Sequence, residues 1–235
     1  MNLSDFYSPA SQTESFVFSR TQGSQFAKKI AGDFNPLHDV DAKKFCVPGD
    51  LLFTLSLAKL GVSEKMKFDF SGMVSEDIEL KFEEQNSNLI KVVDDQEKQY
   101  LSIERDGQKS TNEQFANLLA QRYVAFSGYT FPHILVPLMA EKEVMINPAR
   151  PMVIYQSMSI EMQRFDVTEL SLEMMESTLE VEGKRGTALL KFCFKSADEI
   201  VGYGEKTMIL SGLRAFDQAV IDNLVNDYET RKNTG

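Results

Sequence analysis

The sequence predicts an α+β fold of two similar halves, each a curled antiparallel sheet closed around a buried helix. Three observations predict it. From Leu51 to Ala58 the chain carries no charge, and a helix without a charged side is one buried all round. The segments that follow, Lys65–Phe70 and Ile78–Phe82, alternate apolar and charged residues in the manner of half-buried strands. The same order of elements then returns after Ser110.

The leader Met1–Ser15 reads as loose, and Phe16–Ser19 as a short strand. Thr21 is a cap for a helix running to Ala31, with Phe26, Ala27, Ile30 and Ala31 on one face and Gly32 ending it. Asp33-Phe34-Asn35-Pro36 cannot continue that helix, because a residue before proline is pushed to extended geometry. Asp41–Phe45 reads as one helical turn. Pro48 and Gly49 open the buried helix and Gly61 closes it. Strands follow at Lys65–Phe70, Ile78–Phe82, Leu89–Val93 and Tyr100–Ile103, and Asp106-Gly107 signals a tight turn.

In the second half, Thr111-Asn112-Glu113-Gln114 fits a capping box. Gln114–Ala120 aligns with Gln25–Ala31, and Phe131-Pro132-His133-Ile134-Leu135 aligns with Val47-Pro48-Gly49-Asp50-Leu51, followed by an uncharged run to Ala140. Four alternating strands come next, at Val153–Met162, Leu170–Val181, Ala188–Lys195 and Val201–Leu210. Residues 214–229 read as a closing amphipathic helix bearing Phe216, Val220, Leu224, Val225 and Tyr228. The boundary expected from this duplication divides the chain into 1–110 and 111–235. Each part is long enough for one small core.

Composition excludes several classes. A formal net charge of −10 repels phosphates and argues against a nucleic-acid surface. No apolar run is long enough to span a bilayer, and the first residues lack the layout of a signal peptide. Two distant cysteines, Cys46 and Cys193, make no disulfide framework, so a reducing cytoplasm is the expected location. There is no zinc spacing, no phosphate-binding glycine loop and no nucleophile elbow, so neither a metal nor a resident cofactor is expected.

The chemistry concentrates in one loop. Asp33 and His38 stand five positions apart, and a carboxylate and an imidazole can hold one water between them and move its proton near neutral pH. Asn35 is placed to bond nearby backbone and Pro36 to stiffen the bend. The Gly49 amide lies at the positive end of the buried helix, a suitable place for a developing oxyanion. A carbonyl docked there beside a held water describes addition of water across an activated double bond. Taken singly, these residues have plainer readings: Asp33 as a turn residue, His38 as a hydrogen-bonded structural histidine, His133 as a packed residue at a helix start. Lys28, Lys29, Lys43 and Lys44 flank the loop, as solvated surface lysines or as contacts to the phosphates of a nucleotide-bearing substrate.

Gly32-Asp33-Phe34-Asn35-Pro36-Leu37-His38 closely resembles the signature of the MaoC-like (R)-specific enoyl-CoA hydratases, a hot-dog family. The resemblance implies a double hot-dog fold with a working site in the first half only, a pseudo-dimer within one chain that leaves room for a homodimer. It implies that Asp33 and His38 activate water, and that Gly49, with Asn35 in the same substrate-binding role, polarises a thioester carbonyl. Lys43 and Lys44 are then candidate contacts to substrate phosphates, with coenzyme A entering as part of the acyl-CoA substrate. Pro48 stands where the family usually has histidine, Asp50 where it has an apolar residue, and the link from His38 to Gly49 is shorter than usual. Two rival readings remain: a hot-dog acyl-CoA thioesterase using Asp33 or Asp50, and a non-enzymatic acyl-thioester-binding or scaffolding protein.

Overall fold

The computed structural model of the chain describes residues 2–11 and 14–234. In the first half, β1 (Ser8–Pro9), β2 (Phe16–Val17), α1 (Arg20–Gln25), α2 (Gly49–Leu60), β3 (Val62–Phe70), β4 (Leu80–Asn86), β5 (Leu89–Asp94) and β6 (Gln99–Ser110) follow one another. The second half holds α3 (Glu113–His133), α4 (Leu135–Glu141), β7 (Val144–Met145), β8 (Met152–Met162), β9 (Ser171–Glu182), β10 (Arg185–Ser196), β11 (Glu199–Ser211), β12 (Arg214–Ala215) and α5 (Gln218–Thr234).

One antiparallel sheet joins the halves in the order β1-β2-β4-β5-β6-β3-β8-β11-β10-β9. The run β4-β5-β6-β3 and the run β9-β10-β11-β8 have the same connectivity. They meet at the β3–β8 pair, in the register Lys65↔Glu161 to Asp69↔Ser157. This is the double hot-dog arrangement, and α2 is the rod of its first half. Asp50 to Leu57 of α2 are all buried. Its hydroxyls are satisfied within the helix, Thr54 donating to the Asp50 carbonyl and Ser56 to that of Leu52, both at 2.7 Å. Phe53 meets Phe68 of β3 and Tyr123 of α3 edge-on, at 5.0 and 4.8 Å between ring centres. Among the described residues no helix is long and apolar enough to cross a membrane.

Several local expectations give way to other contacts. The leader is tied down in part: Leu3–Phe6 form a 3-10 turn, Phe6 is buried, and β1 pairs with β2; its Met1, Gln12 and Thr13 lie outside the described residues. Ser19, not Thr21, caps α1, in a reciprocal box with Gln22. Residues 41–45 make no helical turn, because Arg20 takes the carbonyls of Val40 and Ala42 at 3.0 and 2.9 Å. β6 runs through Asp106-Gly107 instead of turning. Gly107, at φ +77°, absorbs a bulge against β3. Asn112 caps α3 in place of Thr111, accepting from the amides of Gln114 and Phe115.

The second uncharged run forms no long rod. Phe131 leaves helical geometry (φ −109°, ψ 129°) ahead of Pro132, and only Leu135–Glu141 resume as α4. A second apolar cluster forms there, where Leu135, Leu138 and Met139 pack with Leu190, Leu210 and Ile221. The closing helix starts at Gln218 rather than 214, since Arg214–Ala215 pair with β7.

Candidate active site

The loop carrying the motif is positioned by an irregular helix. After α1 the chain makes one π-helical turn over Phe26–Ala31, and Gly32 reverses it at φ +66°. Such wide turns cluster at functional sites. The amide of Asp33 is tied to the Ala27 carbonyl at 2.8 Å. Asp33 Oδ1 accepts from the Asn35 amide at 2.9 Å, and Asn35 Oδ1 accepts from the Leu37 amide at 3.1 Å. Asn35 thereby caps the 3-10 turn Pro36–His38, so its side-chain oxygen is occupied in building the bend.

His38 is buried, and its Nδ1 lies 2.6 Å from the Cys46 carbonyl oxygen. A carbonyl oxygen only accepts, so Nδ1 carries a proton and a neutral ring keeps its lone pair on Nε2. That nitrogen stands 3.6 Å from Asp33 Oδ2. The gap is too long for a direct hydrogen bond and short enough for one water to bond both atoms.

Asp33, Asn35, His38 and Gly49 line one cavity of about 740 Å³. A Cβ at Gly49 would lie 3.0 Å from the Tyr155 ring and 3.2 Å from the Phe70 ring. A side chain there would crowd both rings, and Gly49 lines the cavity at the start of α2, where backbone N–H groups have no partner within the helix. Lys43 and Lys44 are exposed and do not line the cavity. Lys28 pairs with Asp39 at 2.8 Å. His133 is exposed and stacks on Tyr129, neither reaching the cavity nor packing as a core residue.

The second half supplies wall residues that sequence reasoning missed. Lys206 of β11 is buried, donates to Ser127 of α3, and lies 4.2 Å from the centre of the Tyr155 ring. Burial lowers its pKa, while the charges of Asp50 and Asp33 raise it. Asp50 is buried beside Gly49. Burial pushes its carboxyl up, and the Lys206 charge and the nearby Ser127 hydroxyl pull it back. The hydroxyls of Tyr123 and Tyr155 bond each other, and burial raises both phenols well above their ordinary range.

Helix α5 clamps the motif loop from outside. Tyr228 Oη donates toward the carbonyls of Gly32 and Gly128, at 3.1 and 3.3 Å, and accepts from the Phe34 amide at 3.4 Å. Arg231 and Lys28 hold Asp39 from two sides. Tyr228→Phe removes one hydroxyl serving three backbone groups. It is expected to cost about 1–2 kcal/mol in urea unfolding, the scale of a buried hydrogen bond with its partners left unmatched.

Burial also pushes the Cys46 thiol up to about 11. The thiolate is the reactive form, so alkylation of Cys46 in the folded protein at pH 8 is expected to be slow. It should accelerate as pH climbs toward 11, as followed by peptide mass spectrometry; rapid labelling at pH 8 would contradict this environment.

None of the curated proteins matches the chain. Among solved structures, the chain is similar to a TesB protein of Mycobacterium avium subspecies paratuberculosis, at 10% identity over 87% of this chain and 95% of that one, with a TM-score of 0.48. It is also similar to an acyl-CoA thioesterase II, TesB2, of Mycobacterium marinum, at 11% identity over 93% and 99%, TM-score 0.47. A MaoC-like dehydratase gives 10% identity over 89% and 99%, TM-score 0.42. A family model described as "Protein of unknown function (DUF3581)" matches residues 1–219, and the chain belongs to that family.

Proposed function

We propose that the protein is an enzyme that adds water to, or removes it from, the double bond of a 2-enoyl thioester of the acyl-CoA type. The observation that carries this reading is the pairing of Asp33 Oδ2 with His38 Nε2 across 3.6 Å, with Nδ1 committed to the Cys46 carbonyl. A water between them donates one hydrogen bond to Asp33, keeping that proton, and the other to His38. As its oxygen bonds to C3, His38 takes the second proton. The electron pair of the double bond moves through C2 onto the thioester oxygen, at the Gly49 amide. His38 then returns the proton to C2, and H and OH have been added without any other reactant.

The half 1–110 carries this chemistry in our reading, and the half 111–235 closes the cavity. Lys206 offsets the Asp50 charge, which would otherwise oppose a negative oxygen beside Gly49. The buried carboxyl of Asp50 also favours a second reading, a thioesterase in which that group directs water at the carbonyl carbon.

The test is a series of trans-2-enoyl-CoAs of increasing chain length. Loss of the conjugated-thioester absorbance without release of free thiol supports hydration. Thiol release with the conjugation intact selects the thioesterase. Binding without either change leaves a non-enzymatic acyl-thioester-binding protein.

A further inference from the structure

Asp50, Ser127 and Lys206 come from α2, α3 and β11 and meet on one wall of the cavity. The hydration described above uses none of them to hold or move a proton. Asp50 Oδ1 is buried and has no hydrogen-bond partner among the described residues. A buried acceptor left in that state costs about 1–3 kcal/mol and calls for a partner. Beside it Lys206 carries three N–H groups, of which one is taken by Ser127 Oγ. An acceptor without a partner and a lysine with N–H groups left over from Ser127 therefore share one cavity wall, where Lys206 Nζ also lies 4.2 Å from the Tyr155 ring centre, while Leu52, Phe70, Met208 and Leu135 make other parts of the lining apolar.

The ligand group that fits is narrowly defined. A plain alkyl chain satisfies neither side. A ketone accepts from Lys206 but gives nothing to Asp50. An amine donates to Asp50 and opposes Lys206. A carboxylate meets Lys206 but faces the carboxyls of Asp50 and Asp33, both of which act on that lysine. A hydroxyl accepts from one and donates to the other, and it is neutral.

We propose that this wall selects acyl thioesters whose acyl group carries a hydroxyl in addition to the atoms that react, bound between Lys206 Nζ and Asp50 Oδ1. The inference rests on the acyl-thioester reading, not on the direction or occurrence of hydration.

The experiment is equilibrium titration of the intact protein with hexanoyl-CoA and with its monohydroxy derivatives bearing the hydroxyl at each carbon beyond C3. None has a double bond or a C3 oxygen, so water addition and removal cannot intervene. At least one hydroxylated ligand is expected to bind about tenfold or more tighter than hexanoyl-CoA. The preference should vanish in Asp50→Asn/Lys206→Met, which leaves no lone buried charge, and shrink in the milder Ser127→Ala. Equal binding of all ligands would overturn the proposal, meaning that water serves the two groups as well, and would leave the thioester reading standing. A preference that survives in the double variant also overturns it. Failure of every acyl-CoA to bind would remove both readings.

Discussion

Asp33→Asn is expected to lower kcat/KM for hydration of a 2-enoyl-CoA by about 10³-fold, within the range ascribed to a positioned acid–base group. The substitution keeps the shape of the side chain. An asparagine oxygen can still accept from the Asn35 amide, as Asp33 Oδ1 does at 2.9 Å, so the bend survives. The other atom, which lies 3.6 Å from His38 Nε2, changes from an acceptor to an N–H donor. It then turns a proton toward the water it should hold by accepting one. Stability in urea should shift little, because Asp33 is only partly buried. His38→Ala should cost a similar factor, and the two losses together should fall well short of their product, because the residues share one water. Unchanged turnover in Asp33→Asn would remove the proposed chemistry.

The largest effect on stability is expected at Gly128→Ala, far from any reacting atom in sequence. A Cβ at Gly128 would stand 1.7 Å from the Ala31 carbonyl oxygen and 2.7 Å from its carbon. Both are backbone atoms, so no side chain can swing aside. Overpacking a well-filled core costs about 1–3 kcal/mol and sometimes more; here a helix must move, and a loss of about 4 kcal/mol is expected in denaturant unfolding. The site should suffer with the fold. Ala31 ends the π turn that launches Gly32 and Asp33, and Tyr228 ties the Gly32 and Gly128 carbonyls together. A variant that unfolds at the same urea concentration as the parent protein would mean that α3 does not press on the motif turn this closely.

Much of the architecture is written locally. The uncharged run after Gly49 and the alternation in β3, β8, β10 and β11 reflect burial on all sides and on one side, and both survive in the structure. Asp33, Asn35 and His38 were legible because their spacing within a non-helical bend is itself the constraint on their geometry. The misplaced helix caps show a limit: Ser19 and Thr21, or Thr111 and Asn112, are near-equivalent in chemistry, and the path of the entering chain decides between them. The helix expected in the second uncharged run is present but short, Leu135–Glu141, because the chain leaves helical geometry at Phe131 ahead of Pro132.

The wall from the second half was illegible for another reason. Its members are brought to α2 by the pairing of β3 with β8, which no local pattern encodes. Two signals did exist. Lys206 occupies an inward position in β11, in step with the buried Gly204, Met208 and Leu210. Asp50 is a carboxylate in the first turn of an otherwise uncharged helix segment. A charge on an apolar face is costly unless paired, and two such misfits of opposite sign in different halves were a hint that the halves meet there.

The most direct test of the Asp33–His38 water is the fate of solvent oxygen. With a 2-enoyl-CoA in heavy-oxygen water, the product is expected to carry its label on C3 of an intact acyl thioester, and to form about 10³-fold more slowly with Asp33→Asn. Label found instead in the carboxylate of a released acid, or no label in any product, would contradict it.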